Sequence, residues 1–344
     1  MAYGDLATLL GVGNEVEYVD FNREERNYAA LLYHYLMSSE AAMEAFLRLV
    51  GVDRRCEPGY PQVYFEYAYA RDLWEHARGA PTKANLEERN TRYFNAVLGL
   101  LDSDCSDGVL AGIKEALGLL NTARAAQNTP SKTPDLVSRH PERVEHIDVA
   151  FVERFNRVFV AGRQSPDQLQ SPSRWNAVML AKLDEEDSKL ARSACRLKWA
   201  FNAKADLVIH TGRRSAVCIE IKLDSKTSTY TLPSLASGKD GNAVDSTFKM
   251  SQLGLQQYIL ESLLGFEARF AILGRPGPGG VVRVPDRCTG DPERPNQTDD
   301  PRHPKGISWR QAFEAVLGAG FCPDGDSRGF TDRMLRLVCK EGKS

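Results

Sequence analysis

The stretch Ala205-Asp206-Leu207-Val208-Ile209, followed after a short polar break by Ser215-Ala216-Val217-Cys218-Ile219-Glu220-Ile221-Lys222-Leu223, decides the reading of this chain. Both runs are short, rich in β-branched residues and flanked by turn formers, which predicts two strands joined by His210-Thr211-Gly212-Arg213-Arg214. Side chains alternate across a strand, so Val217, Ile219, Ile221 and Leu223 form an apolar face while Cys218, Glu220 and Lys222 share the other. If the chain folds back at Arg213 as an antiparallel hairpin, Val208 stands opposite Cys218 and Asp206 opposite Glu220. Opposed side chains of this kind have Cβ atoms about 5 Å apart. Two carboxylates held that close repel unless something neutralises them, and a hard divalent cation bound through oxygen ligands is the usual solution. Lys222, beside them, is positioned to steer or deprotonate a water.

An acid and a lysine two residues apart on a strand also occur as an exposed ion pair on a solvated sheet face. What argues for a site is the conjunction of apolar flanks, an opposed Asp206 and a polar-striped helix after the hairpin. The triplet Asp224-Ser225-Lys226 has the same form, but it lies where the apolar alternation has ended.

Upstream, the punctuation is helical. Asn22 caps a helix with Glu25 three residues on, and Asn85-Leu86-Glu87-Glu88-Arg89-Asn90 repeats the signal ahead of Phe94, Val97, Leu98 and Leu101. Further helical patterns run through about 108–126, 142–159 and 174–198. Downstream, a polar stretch from Asp224 to Asp245 leads to a helix over 246–264, capped by Ser246 and stopped by Gly265, and then to a strand over 268–273. Seven prolines among glycines and acidic residues mark 275–305 as a long loop, and helices near 308–317 and 330–340 close the chain. On the 246–264 helix, Lys249, Gln252 and Gln256 form a polar stripe opposite Phe248, Leu255, Ile259 and Leu263, and that stripe is read as facing the acidic pair.

Asp206, thirteen intervening residues and then Glu220-Ile221-Lys222 in a hydrophobic strand resemble the signature of the PD-(D/E)XK nuclease superfamily, with Ala205 where that family usually has proline. The resemblance implies an α/β, restriction-endonuclease-like mixed sheet flanked by helices and a metal-dependent hydrolysis of phosphodiester bonds. It implies that Asp206 and Glu220 bind Mg2+ or Mn2+, that the main-chain carbonyl of Ile221 adds a ligand, and that Lys222 orients the attacking water. Related nucleases place a glutamine on the helix after the hairpin, which points to Gln252 as a further catalytic residue, and a glutamate on an N-terminal helix, which points to Glu25 or the adjacent Glu24 as a further metal ligand. The match covers about residues 20–38 and 195–275. The expected domains are therefore 1–39 as the N-terminal helix of the nuclease core, 40–190 as a mostly helical insertion, and 191–344 as the core carrying the acids, the Pro/Gly-rich loop and the C-terminal helices.

The chain has 344 residues, with 44 Lys plus Arg against 46 Asp plus Glu, so it is not a protein that holds nucleic acid merely by being polycationic. Any basic surface is local. Arg196 and Lys204 lie just before the first strand with Trp199 and Phe201 interleaved, and Arg213 and Arg214 sit in the hairpin turn. With Lys249 and Gln256, these are the candidates for tracking a phosphate backbone, and Trp199 and Phe201 for stacking bases. Seven cysteines without a C-x-x-C pair argue against a disulfide framework or a structural zinc site, and the absence of a long apolar run argues against a membrane span, so a cytoplasmic protein is expected. There is no G-x-S-x-G elbow, no phosphate loop and no H-E-x-x-H helix, which removes the main support for serine hydrolases, NTPases and zincins. The resemblance implies nucleic acid as the partner, DNA favoured over RNA, and a role in prokaryotic restriction, antiviral defence or repair. A homodimer, or a partner protein docked on the helical insertion, is expected beside it. The alternatives are an RNase and a non-catalytic binding or assembly module with a nuclease-like fold.

Overall fold

The two strands form, and they pair as the sequence demands. In the computed structural model, which describes residues 25–52, 56–78, 85–102, 146–160, 167–176, 188–222, 229–232, 248–276, 282, 284 and 304–319, strands β2 (Ala205–Gly212) and β3 (Ser215–Ile221) make an antiparallel hairpin. Val208 pairs with Cys218 and Leu207 with Ile219. The first strand runs three residues further than expected, so the connection shrinks to Arg213-Arg214, with a register irregularity between His210 and Gly212. Glu57 holds this turn: its main-chain N–H donates to the Thr211 carbonyl and its carboxylate accepts the Arg213 N–H at 3.0 Å.

Around the hairpin a five-stranded mixed sheet assembles in the order β1-β2-β3-β6-β7. Strand β1 (Gln62–Tyr67) lies antiparallel to β2, while β6 (Glu267–Gly274) and β7 (Lys305–Ser308) run parallel to β3. One face carries Leu207, Ile209, Val217, Ile219, Ile221, Ala271, Leu273 and Ile307. It packs against helices α1 (Glu25–Ser38), α2 (Glu40–Leu49) and, after β7, the final described helix Trp309–Gly318. Tyr28, Leu32, Phe46, Trp309 and Phe313 are fully buried in that layer, each contributing about 1.5–3 kcal/mol or more by leaving water. The other face is buried too, since Val208, Cys218 and Ile272 are all at 2% exposure or less.

The described residues divide into two units, one from Met1–Tyr67, Ala205–Ser228 and Leu260–Ser344, the other from Ala68–Lys204 and Thr229–Ile259. The second contains α3 (Tyr69–Arg78), α4 (Leu86–Asp102), α5 (Val149–Phe159), a 3-10 turn at Pro172–Arg174, α6 (Ser188–Ala200), the two-stranded sheet β4 (Thr229–Leu232) with β5 (Phe248–Ser251), and α7 (Gln252–Gln257). A π-helical turn, Tyr258–Leu263, continues α7, and the closing helix Trp309–Gly318 is α8. Aromatic edges build the core of this unit: Trp74 meets Tyr93 and Phe201, and Phe94 meets Phe151 and Phe155.

Several expectations change. The helical segment does begin after an early core helix, but its start moves from residue 40 to 68, because α2 packs in the sheet's helical layer and β1 pairs with β2. Its end moves from 190 to 204, since α6 belongs to the same unit. The helix expected over 142–159 starts at Val149, with Asp148 accepting the Phe151 N–H at 2.7 Å as its cap. The polar stretch 224–245 contains β4, and the expected helix 246–264 begins as β5, whose residues Phe248 to Ser251 pair with Leu232 to Thr229. The cap is therefore Ser251, accepting from the Gly254 N–H, rather than Ser246. The helices expected at 108–126 and 330–340, the cap at Asn22, Glu24 and the triplet Asp224-Ser225-Lys226 lie outside the described residues. No helix among the described residues is long and apolar enough to cross a membrane.

Candidate active site

The hairpin register that buries Leu207 against Ile219 leaves the opposite side-chain parity, Asp206 and Glu220, together at the end of the strands remote from the turn. Asp206 Oδ2 accepts the main-chain N–H of Ile221 at 2.7 Å, which ties the end of β2 to the end of β3. Glu220 is among the neighbours that influence the Asp206 carboxyl. Lys222 follows immediately: its Nζ lies 2.6 Å from Glu220 Oε1 and 3.9 Å from Glu25 Oε2 at the start of α1. Thus Asp206, Glu220, Lys222 and Glu25, from three separate stretches of sequence, meet in one cluster.

Burial sets the electrostatics. The Glu220 side chain is fully buried and that of Lys222 is 15% exposed. Desolvation pushes the Asp206 carboxyl above its ordinary range, and the Ile221 N–H and the Lys222 ammonium pull it back only in part. Lys222 shows the converse balance. Burial alone would lower its pKa, but Glu220, with Asp206 and Glu25 behind it, raises the pKa overall, so the amine stays charged. Cys218, on the same face, is pushed well above the usual thiol range by burial and then by Glu220 and Asp206, and remains an inert thiol.

The oxygen donors here suit a hard cation: two carboxylates on adjacent strands, with the Ile221 carbonyl between Glu220 and Lys222. Among the described residues no group of three or more His, Cys, Asp or Glu side chains is arranged as a ready metal centre. The amine of Lys222 supplies the positive charge against Glu220. Comparison with known proteins leaves the site to be read from its own chemistry: no family model, no curated protein and no solved structure matches this chain.

The other candidates fall into two groups. Arg213 and Arg214 are exposed in the hairpin turn, seven residues along β2 from Asp206, or roughly 23 Å at strand spacing. Arg196, Lys204, Lys249, Gln252 and Gln256 belong to the second unit. The guanidinium of Arg196 stacks over the Tyr258 ring at 5.1 Å, and Lys204 is exposed. Lys249 lies on β5, so it shares no helical stripe with Gln252 and Gln256. Gln256 is buried at 2% exposure instead of lying on a solvated face, and Gln252 keeps a buried Oε1 without a hydrogen-bond partner among the described residues. Phe201 packs edge-on against Trp74 and is not free to stack a base, while Trp199 meets Tyr230.

Sequence reasoning missed a second cluster on the hairpin. His210 is enclosed by Tyr64, Tyr67 and Phe266 at ring distances of 4.9, 5.4 and 4.8 Å, and its Nε2 lies 3.0 Å from the Tyr67 hydroxyl. Its signal was present in Gln62-Val63-Tyr64-Phe65-Glu66-Tyr67, an aromatic and β-branched run introduced by Gly59-Tyr60-Pro61.

Proposed function

We propose that this chain is a metal-dependent nuclease of the PD-(D/E)XK type, hydrolysing phosphodiester bonds, with DNA as the favoured substrate and a restriction-endonuclease-like core formed by the mixed sheet and its helices. The observation that carries this reading is the meeting of Asp206, Glu220 and Lys222 at one end of the β2–β3 hairpin. A bound Mg2+ or Mn2+ would supply Lewis-acid stabilisation of charge at the scissile phosphate. Asp206, Glu220 and the Ile221 carbonyl would hold it. Lys222, held cationic by its acidic neighbours, orients a water by hydrogen bonding and stabilises negative charge that develops on the phosphoryl oxygens. Glu25, at 3.9 Å from the amine, limits where Lys222 can reach.

The test uses the full chain. Purified protein incubated with single-stranded DNA, duplex DNA and RNA should cleave with Mg2+ or Mn2+ and stop on adding EDTA, and Glu220→Gln and Lys222→Met should each remove cleavage while the protein stays folded. Full activity in either variant rejects the site, and cleavage confined to RNA makes the chain an RNase.

One observation favours a second reading. Lys222 already pairs with Glu220 at 2.6 Å, so one of the two carboxylates read as metal ligands has a cationic partner within the chain. A nuclease-like module that binds nucleic acid or assembles with a partner without turnover would retain nucleic acid on a filter with EDTA present and give no cleavage with any divalent ion.

A further inference from the structure

Trp309 touches the cluster from behind. Its indole is fully buried, and its Nε1–H donates to the main-chain carbonyl of Lys222 at 3.3 Å. On the other side of the same residue, the Lys222 N–H donates to the Leu273 carbonyl at 2.8 Å. These two bonds matter because β3 ends at Ile221, so Lys222 stands just beyond the regular ladder and nothing in the sheet pattern fixes its backbone further.

The sheet explains how the indole arrives there. Strand β7 lies parallel to β6 with Ser308 beside Gly274, one residue after the Leu273 that pairs with Ile221. Ser308 then caps α8 in a capping box with Gln311, so Trp309 is the first residue of a helix whose start is pinned. Gly306 permits the close approach of β7, since a Cβ there would meet the Val282 carbonyl oxygen at 2.6 Å. The indole also rests on Tyr28, at 5.7 Å between ring centroids, and Tyr28 is three residues along α1 from Glu25, on the same side of the helix. One ring therefore contacts the backbone of Lys222 and the helix turn that carries Glu25.

We propose that Trp309 is a positioning residue for Lys222: its indole N–H fixes the peptide from which the amine reaches between Glu220 and Glu25. The inference rests on the nuclease reading for its catalytic consequence. Its structural core, the immobilisation of the Lys222 amine, stands in the metal-free protein.

The experiment compares Trp309→Phe, which keeps an aromatic ring and removes the donor, with Phe313→Leu, which loosens packing beside the indole and keeps it. Phe313 stacks on Trp309 at 5.8 Å. Metal-free protein, well below its melting temperature, is pulsed with an amine-acylating reagent and labelling at each lysine is followed by mass spectrometry. Labelling of Lys222 should be slow in the parent chain, several-fold faster in Trp309→Phe and unchanged in Phe313→Leu, with the exposed Lys305 as internal reference. With Mg2+ and DNA, Trp309→Phe should lower kcat by about 10- to 100-fold while KM stays constant. Equal labelling of Lys222 in the parent and Trp309→Phe overturns the proposal, as does equal loss of kcat in the two variants. Failure of the parent chain to cleave overturns the nuclease reading instead, and the labelling result still decides the role of Trp309.

Discussion

The β2–β3 hairpin buries a titratable group near each end, and the two ends treat charge in opposite ways. Near the turn, burial is the dominant influence on His210: its pKa is lowered, and the ring is boxed in neutral by Tyr64, Tyr67 and Phe266. At the far end burial is again the largest single influence, on Lys222, yet the surrounding carboxylates together outweigh it and the amine is kept charged. A protein that needed only to fill space would repeat the first solution at both places. Retaining an ammonium and its acids in a nearly dry location costs stability relative to apolar packing, and such expense concentrates where groups perform chemistry.

The sharpest way to break that contrast is to remove charge at the acidic end, first from one partner and then from both. Glu220→Leu leaves the Lys222 ammonium buried beside a weaker partner, and should cost about 3–5 kcal/mol in a urea unfolding experiment. Adding Lys222→Leu should return most of that stability, because two apolar side chains of similar size replace a costly ion pair. Both variants should be inactive on nucleic acid. A double variant that stays as unstable as the single one would show that the pair is structural glue, and the contrast would collapse.

Asp206→Asn is a gentler probe with an effect of opposite sign on stability. The Asp206 carboxyl is raised above its usual value chiefly by burial, so the folded state prefers it protonated. For a group raised in this way, the stabilising contribution is complete below the unfolded value of about 3.9 and is lost as pH rises through the folded one. Asparagine keeps an acceptor for the Ile221 N–H without the charge. Asp206→Asn should therefore be more stable than the parent at pH 7, measured by its urea midpoint, and the gap should close as pH falls towards 4, while cleavage is lost. A less stable Asp206→Asn at neutral pH contradicts the account.

How much of this was legible beforehand follows from what each signal encodes. Alternation in Val217 to Ile221 fixed which side chains share a face, and a fold-back placed at Arg213 gave the register, so the partnership of Asp206 with Glu220 could be read without coordinates even though the link itself is shorter than expected. Three things could not. Strand β5 is four residues long and runs straight into α7, so Phe248 to Ser251 looked like the first turn of a helix with the apolar positions Leu255 and Ile259 behind it. Strand β7 is as short and follows a proline-rich stretch, where no periodicity can accumulate. The Trp309 bond to Lys222 joins residues 87 apart through a main-chain carbonyl, and a carbonyl leaves no trace in residue type. Glu25 is intermediate: the helix start was readable, whereas its approach to Lys222 depends on how α1 packs across the sheet.

The smallest expected effect belongs to the aromatic end, and it sharpens the comparison because it should touch stability alone. His210 is held below its ordinary pKa by burial. A lowered histidine stabilises the folded state above the unfolded value of about 6.5, and that contribution is lost as pH falls below it, because the unfolded chain takes up the proton more readily. The parent protein should therefore lose stability between pH 7 and 5 in part through this ring, and His210→Gln should flatten that portion of the curve. Tyr67→Phe, which removes the hydroxyl lying 3.0 Å from Nε2, should cost about 1 kcal/mol at pH 8. Neither change should alter metal-dependent cleavage, since His210 is four residues from Asp206 along β2, roughly 13 Å at strand spacing. If His210→Gln lowers kcat while leaving the melting temperature at pH 8 intact, then the imidazole takes part in the chemistry, and the division of the hairpin into a charged working end and a neutral structural end is wrong.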